Sequence, residues 1–91
     1  MDLGLEGKSA IVTGGSEGIG KATATRLAQE GANVLICARR ADVLAEAESE
    51  IRAVAVGQVV SISADVTSQT DCDRVIEEAN SRFGGIDILI N

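Results

Sequence analysis

Four short apolar runs recur along this sequence: S-A-I-V-T at 9–13, N-V-L-I-C-A at 33–38, V-V-S-I-S-A at 59–64 and I-D-I-L-I at 86–90. Between each pair lies a longer segment whose apolar residues fall three and four positions apart. Short runs that stop at glycine or polar residues predict buried strands, and the spacing between them predicts helices. Gly18 to Glu30 presents Gly20, Ala24, Leu27 and Ala28 on one face, with Gly31 where a helix C-cap belongs. Ala41 to about Val54 aligns Leu44, Ala47, Ile51 and Val54, while Glu46, Glu48, Glu50 and Arg52 fall on a solvated face. Ser68 followed by Asp71 resembles a capping box. The helix it opens has Cys72, Val75, Ile76, Ala79 and Phe83 as its buried stripe and ends at Gly84-Gly85.

The resulting order, β-α-β-α-β-α-β, belongs to an α/β protein. Strand–helix–strand units of this length give parallel strands, right-handed crossovers and helices on both faces of a doubly wound sheet. Covered on both sides, the strands are expected to be continuously apolar. Ligands bind such a sheet at the carboxyl ends of its strands, where the strand order reverses. That edge carries residues 14–20, 38–40, 65–66 and Asn91.

Composition narrows the function classes. With 45% hydrophobic and 24% charged residues, the 91-residue chain is globular rather than disordered. It has no proline, and Phe83 is its single aromatic residue, so Ala, Val, Ile and Leu must build the core. A net charge of −6 argues against a nucleic-acid or anionic-membrane surface. Cys37 and Cys72 form no C-x-x-C and read as free thiols, with no zinc or redox signature. The first residues lack a basic region followed by an apolar stretch, and no apolar run approaches the about 18 residues that span a bilayer. A cytoplasmic protein is expected.

The glycine-rich stretch V-T-G-G-S-E-G-I-G-K-A-T, 12–23, admits two frames. From Gly15 it approaches the triphosphate loop G-x-x-x-x-G-K-[ST], but Ala22 stands where magnesium needs a hydroxyl and Thr23 is one position out of register. From Thr13 it reads T-G-G-S-E-G-I-G, a strand-to-helix turn inside a β-α-β unit, the context of a dinucleotide fingerprint. Its spacing is G-x-x-x-G-x-G rather than G-x-G-x-x-G. In this frame Gly14 permits a tight turn and Gly18 leaves room for a pyrophosphate. Gly20 lets the helix approach the sheet, and amides near Ser16 and Ile19 face the anion.

T-G-G-S-E-G-I-G at 13–20, D-V at 65–66 and D-I-L-I-N at 87–91 resemble the short-chain dehydrogenase/reductase family along essentially the whole chain. The resemblance implies a Rossmann-type NAD(P)-dependent oxidoreductase fold. It implies that Thr13, Gly14, Ser16, Glu17, Gly18, Ile19 and Gly20 form the pyrophosphate turn. It also implies that Asp65 meets the adenine amino group, that Val66 offers its backbone there, and that Asn91 sits beside the ribose. NAD preference usually rests on an acid about 20 residues beyond the glycines. Here Arg39 and Arg40 occupy that place, and a guanidinium binds a 2′-phosphate where a carboxylate repels it. Arg39, with Arg40 as helper, therefore points to NADP(H) over NAD(H), although Glu17 stands where many NADP-dependent relatives carry a basic residue.

The family's catalytic Ser and Tyr-x-x-x-Lys lie in the second half of its fold, and this sequence has no tyrosine. The expectation is the first part, residues 1–91, of one NAD(P)-binding domain that continues past Asn91, where the family's motif runs on as N-N-A-G. The chain alone would be inactive. An apolar last strand with Asp87 as its one charge supports continuation, because an unblunted edge invites aggregation. The complete enzyme would act on a small carbonyl or alcohol and assemble as a homo-oligomer. The alternative is a non-catalytic NADP(H)-binding module.

Overall fold

Each apolar run is a strand and each periodic segment a helix in the computed structural model, which describes residues 4–91. In chain order the elements are β1 (Ser9–Thr13), α1 (Gly18–Gln29), β2 (Asn33–Ala38), α2 (Ala41–Val54), β3 (Val59–Ser63), α3 (Gln69–Phe83) and β4 (Ile88–Ile90). The strands form one parallel sheet in the order β3-β2-β1-β4. The chain builds outward from β1 to β3, then crosses back to lay β4 on the other side of β1. That reversal is the switch point of a Rossmann-type doubly wound sheet.

Successive strand residues point to opposite faces, so each strand feeds two cores. Val12, Val34 and Ile36 pack with Ala24, Ala28, Leu44, Ala47 and Ile51 beneath α1 and α2. Ile11, Leu35 and Cys37 pack with Ala64, Val75 and Ala79 beneath α3, and Phe83 joins them half-buried. Ile51 is fully buried, a burial that contributes about 1.5–3 kcal/mol. The fully buried positions of α1 are alanines, so little side-chain bulk separates that helix from β1 and β2.

Helix ends follow local chemistry. Gly31, at φ 95°, follows α1 in the left-handed region. Its N–H donates to the Ala28 carbonyl and that of Ala32 to Leu27, the paired bonds of a Schellman motif. The α3 N-cap Ser68 accepts from the Asp71 N–H at 3.3 Å. The capping box is only half made, however. The Asp71 carboxylate turns to the Asp65 N–H at 2.8 Å, while the Ser68 N–H is taken by the Asp65 carbonyl.

Three expectations shift. β4 begins at Ile88, because Asp87 is occupied with the start of β1. Its N–H donates to the Ser9 carbonyl and its carboxylate accepts from the Ser9 N–H at 2.9 Å. Asp87 therefore clamps the β1 side of the strand and does not blunt the open edge. Ile76 is 47% exposed, since it lines a cleft between α3 and β4 that no other described residue fills. Val54, the last residue of α2, is exposed because the helix ends there.

Candidate functional site

At the carboxyl end of β1 the chain turns on Gly14, whose φ of 68° favours glycine. The Gly14 N–H donates to the Cys37 carbonyl at 2.8 Å, extending the β1–β2 ladder by one bond. Gly18 opens α1 at φ 56°. A Cβ added at Gly14 or Gly18 would meet nothing within 4 Å, so open space lies over both missing side chains. Two other glycines are there for contact. A Cβ at Gly20 would strike the Gly14 carbonyl oxygen, and one at Gly15 would lie 2.7 Å from the Ile36 side chain. Gly20 therefore brings helix and turn together, whereas the sequence assigned it to helix–sheet packing. Gly15 was missed as a packing residue; its signal was the G-G doublet.

The start of α1 is poor in its own caps. Glu17 at the N-cap makes no side-chain cap bond, and the first turn holds no acid. The leading N–H groups and the positive end of the helix dipole thus lack an internal anion, which is the chemistry of a phosphate site. The open space over Gly14 and Gly18 is the room a pyrophosphate requires, so the turn fits that group. Ile19 is 87% exposed beside it. Lys21 is ion-paired with Glu50 of α2, tying the base of the turn to the neighbouring helix.

Six of the twelve predicted residues line two depressions, whereas Gly14, Ile19, Gly20, Arg39, Arg40 and Asp65 line neither. Ser16, Glu17 and Gly18 line one of about 310 Å³ with Lys21 and Val43. Thr13, Val66 and Asn91 line another of about 350 Å³ on the α3 face. The Thr13 hydroxyl has one proton to share between the Ile90 carbonyl at 3.3 Å and the Asn91 Oδ1 at 3.1 Å. This contact joins the ends of β1 and β4 at the switch point.

Beyond β3, the Asp65 carboxylate closes an Asx turn. Its Oδ1 accepts from the Thr67 hydroxyl at 2.6 Å and the Thr67 N–H at 2.9 Å, and these bonds hold its pKa below the usual carboxylate value. Both of these bonds go to Oδ1. Val66 is 54% exposed. Arg39 and Arg40 are both exposed at the end of β2. Arg40 pairs with Asp42 at 3.6 Å, an exposed contact worth at most about 1 kcal/mol. Arg39 makes no ion pair within 4.0 Å among the described residues, and its charge acts on Asp65 as the smallest of that group's influences. No helix of the described residues is long and apolar enough to cross a membrane, and they hold no cluster of three metal-ligating side chains.

The sequence model described as short chain dehydrogenase matches residues 8–91. A 1,6-dihydroxycyclohexa-2,4-diene-1-carboxylate dehydrogenase of Pseudomonas putida is 38% identical over all of this chain and 33% of its own length. The L-sorbose reductase of Gluconobacter frateurii, solved with NADPH and L-sorbose, superposes with a TM-score of 0.94. It is 42% identical, over 100% of this chain and 35% of that one. The apo glucose dehydrogenase of Caenorhabditis elegans gives 0.90 at 43% identity, over 96% of this chain and 38% of that one. The chain thus spans about a third of the length of these relatives.

Proposed function

The chain belongs to the short-chain dehydrogenase family, and on that premise we propose that it binds NADP(H) in preference to NAD(H), as the first part of a single dinucleotide-binding domain. The pyrophosphate lies over the turn from Thr13 to Gly20, at the uncapped start of α1. Asp65 and the Val66 backbone hold the adenine, and Asn91, positioned by Thr13, meets a ribose. Arg39 takes the 2′-phosphate with Arg40 beside it. When bound, the cofactor accepts or donates a hydride. The complete enzyme is a cytoplasmic homo-oligomer interconverting a small carbonyl compound and its alcohol.

One observation supports the cofactor preference above the rest. Arg39 is exposed at the end of β2 with no carboxylate within ion-pair distance among the described residues, so a phosphate meets an uncommitted guanidinium. Arg39→Asp replaces attraction by repulsion and is expected to weaken NADPH far more than NADH in a direct binding titration. Equal losses for both nucleotides would remove Arg39 from the reading.

A second reading is a module that holds NADP(H) without turning it over. Nucleotide binding without carbonyl-dependent oxidation of NADPH would select it.

A further inference from the structure

Where β2 runs out, three consecutive carbonyls are each held by a different partner. The Ala38 carbonyl accepts from the Ala64 N–H at 2.9 Å, continuing the β2–β3 ladder by one bond. The Arg40 carbonyl accepts from the Leu44 N–H at 3.0 Å, in the first turn of α2. Between them, the Arg39 carbonyl takes the Ser63 hydroxyl at 3.0 Å. The outer two are backbone bonds that the strand and the helix supply. The middle one depends on a side chain, from the β3 residue in register with Ala38. Ser63 is itself braced. Its carbonyl accepts from the Arg74 guanidinium at 2.8 Å, and the same Arg74 nitrogen lies 3.4 Å from Asp71 Oδ1. Asp71 Oδ2 in turn accepts from the Asp65 N–H at 2.8 Å. A continuous set of contacts thus runs from the Arg39 backbone through Ser63, Arg74 and Asp71 to Asp65.

We propose that Ser63 is a specificity-determining positioning residue: its hydroxyl fixes the Arg39 peptide and so aims the guanidinium at a nucleotide's 2′-phosphate. The inference rests on the reading of Arg39 as the 2′-phosphate residue, and it gives Ser63 no contact with the nucleotide. Among the described residues the Arg39 guanidinium makes no ion pair within 4.0 Å, so its placing is left to the backbone from which it extends. Ser63→Ala deletes the donor that the Arg39 carbonyl uses and lets the peptide between residues 39 and 40 turn. Arginine is long, so a small turn at its base becomes a large displacement at its tip. Binding must then also order that segment, an entropic cost that the hydrogen bond spares the parent. A lost neutral hydrogen bond corresponds to a factor of about five in an equilibrium constant. NADH carries no 2′-phosphate and does not draw on Arg39, so its affinity should not feel the change. Ser63 and Arg39 are both exposed, so the variant leaves no buried group unpaired and should fold.

The test titrates the full chain directly with NADPH and with NADH, in the parent, Ser63→Ala, Ser63→Thr, Arg39→Ala and the double variant of Ser63→Ala with Arg39→Ala. Ser63→Ala should weaken NADPH about fivefold and NADH by less than about twofold. Ser63→Thr, which keeps the hydroxyl, should retain the parent's preference. In the Arg39→Ala background, Ser63→Ala should weaken NADPH no further, because the group it positions is gone. Equal losses for both nucleotides would make Ser63 a residue of the fold alone and overturn the proposal. An unchanged NADPH affinity in Ser63→Ala, or the same loss with and without the Arg39 side chain, would overturn it as well. The two layers of the argument fail differently. If Arg39→Ala leaves NADPH affinity intact, the assignment of Arg39 falls and takes Ser63 with it. If Arg39→Ala weakens NADPH and Ser63→Ala does not, Ser63 falls and Arg39 stands.

Discussion

Replacing Gly20 by alanine separates two accounts of the glycine turn by the sign of one number. Gly20 is the third residue of α1, and in an ordinary helix Gly→Ala stabilises by about 0.5–1 kcal/mol. Here the new Cβ would strike the Gly14 carbonyl oxygen and lie 2.9 Å from its carbon and 3.4 Å from the Gly15 Cα. Comfortable carbon–carbon contact is about 3.5–4.0 Å. The obstacle is backbone, so no side chain can swing aside. Moving the Gly14 carbonyl turns the backbone of the residue whose own N–H donates to the Cys37 carbonyl at 2.8 Å, a bond worth about 1 kcal/mol. Overpacking of this kind costs about 1–3 kcal/mol, so after the helix gain Gly20→Ala should be less stable by up to roughly 2.5 kcal/mol. A lower urea midpoint at unchanged m-value would show it. NADPH affinity should fall about tenfold or more, each factor of ten being about 1.4 kcal/mol, because the turn's amides tilt with the displaced peptide. A midpoint equal to or above that of the parent, with unchanged affinity, would refute the reasoning.

Ser68→Ala removes the oxygen that accepts the Asp71 N–H and should cost about 1 kcal/mol in urea unfolding, with α3 signals shifting first. An unchanged midpoint would mean the Asp71–Asp65 bond suffices to hold that helix start. Alkaline pH probes Cys37. Burial, and secondarily Cys72, raises its pKa, so the folded chain keeps the thiol proton to higher pH than the unfolded chain does. That stability is fully present below the ordinary thiol value of 9.0 and is lost as pH rises through the folded value. Urea midpoints between about pH 8 and about pH 10 should decline in the parent and less steeply in Cys37→Ala; parallel slopes would contradict it.

Much of this was legible because the signals are local. Val34, Leu35, Ile36 and Cys37 are buried without a break, as a strand covered on both faces requires, and a glycine follows each helix before the next strand. Gly14 and Gly18 adopt the left-handed geometry that a side chain resists, so their positions could be read from composition and spacing alone. What was hidden depends on partners distant in sequence. Nothing near Asp87 announces that it clamps Ser9, and nothing near Gly15 announces Ile36. Ile76 satisfied the helical spacing of a buried stripe, but the spacing cannot tell how far the neighbouring elements extend over it. At the carboxyl edge of the sheet, the place of Arg39 just after β2 was readable from its count beyond the glycines. The Thr13–Asn91 contact and the half-made cap at Asp71 required the fold.

The order β3-β2-β1-β4 also sets a timetable. The pairings of β1 with β2 and β2 with β3 join neighbours along the chain and close short loops. The Ser9–Asp87 and Thr13–Asn91 contacts each close a span of 78 residues. Closing a longer span costs more chain entropy before any contact repays it, which slows its formation and favours its early release. During synthesis β4 also emerges after the other three strands. The crevice at the switch point should therefore set after the β1–β2–β3 unit and let go before it, with hydrogen exchange at β4 outpacing exchange at β2.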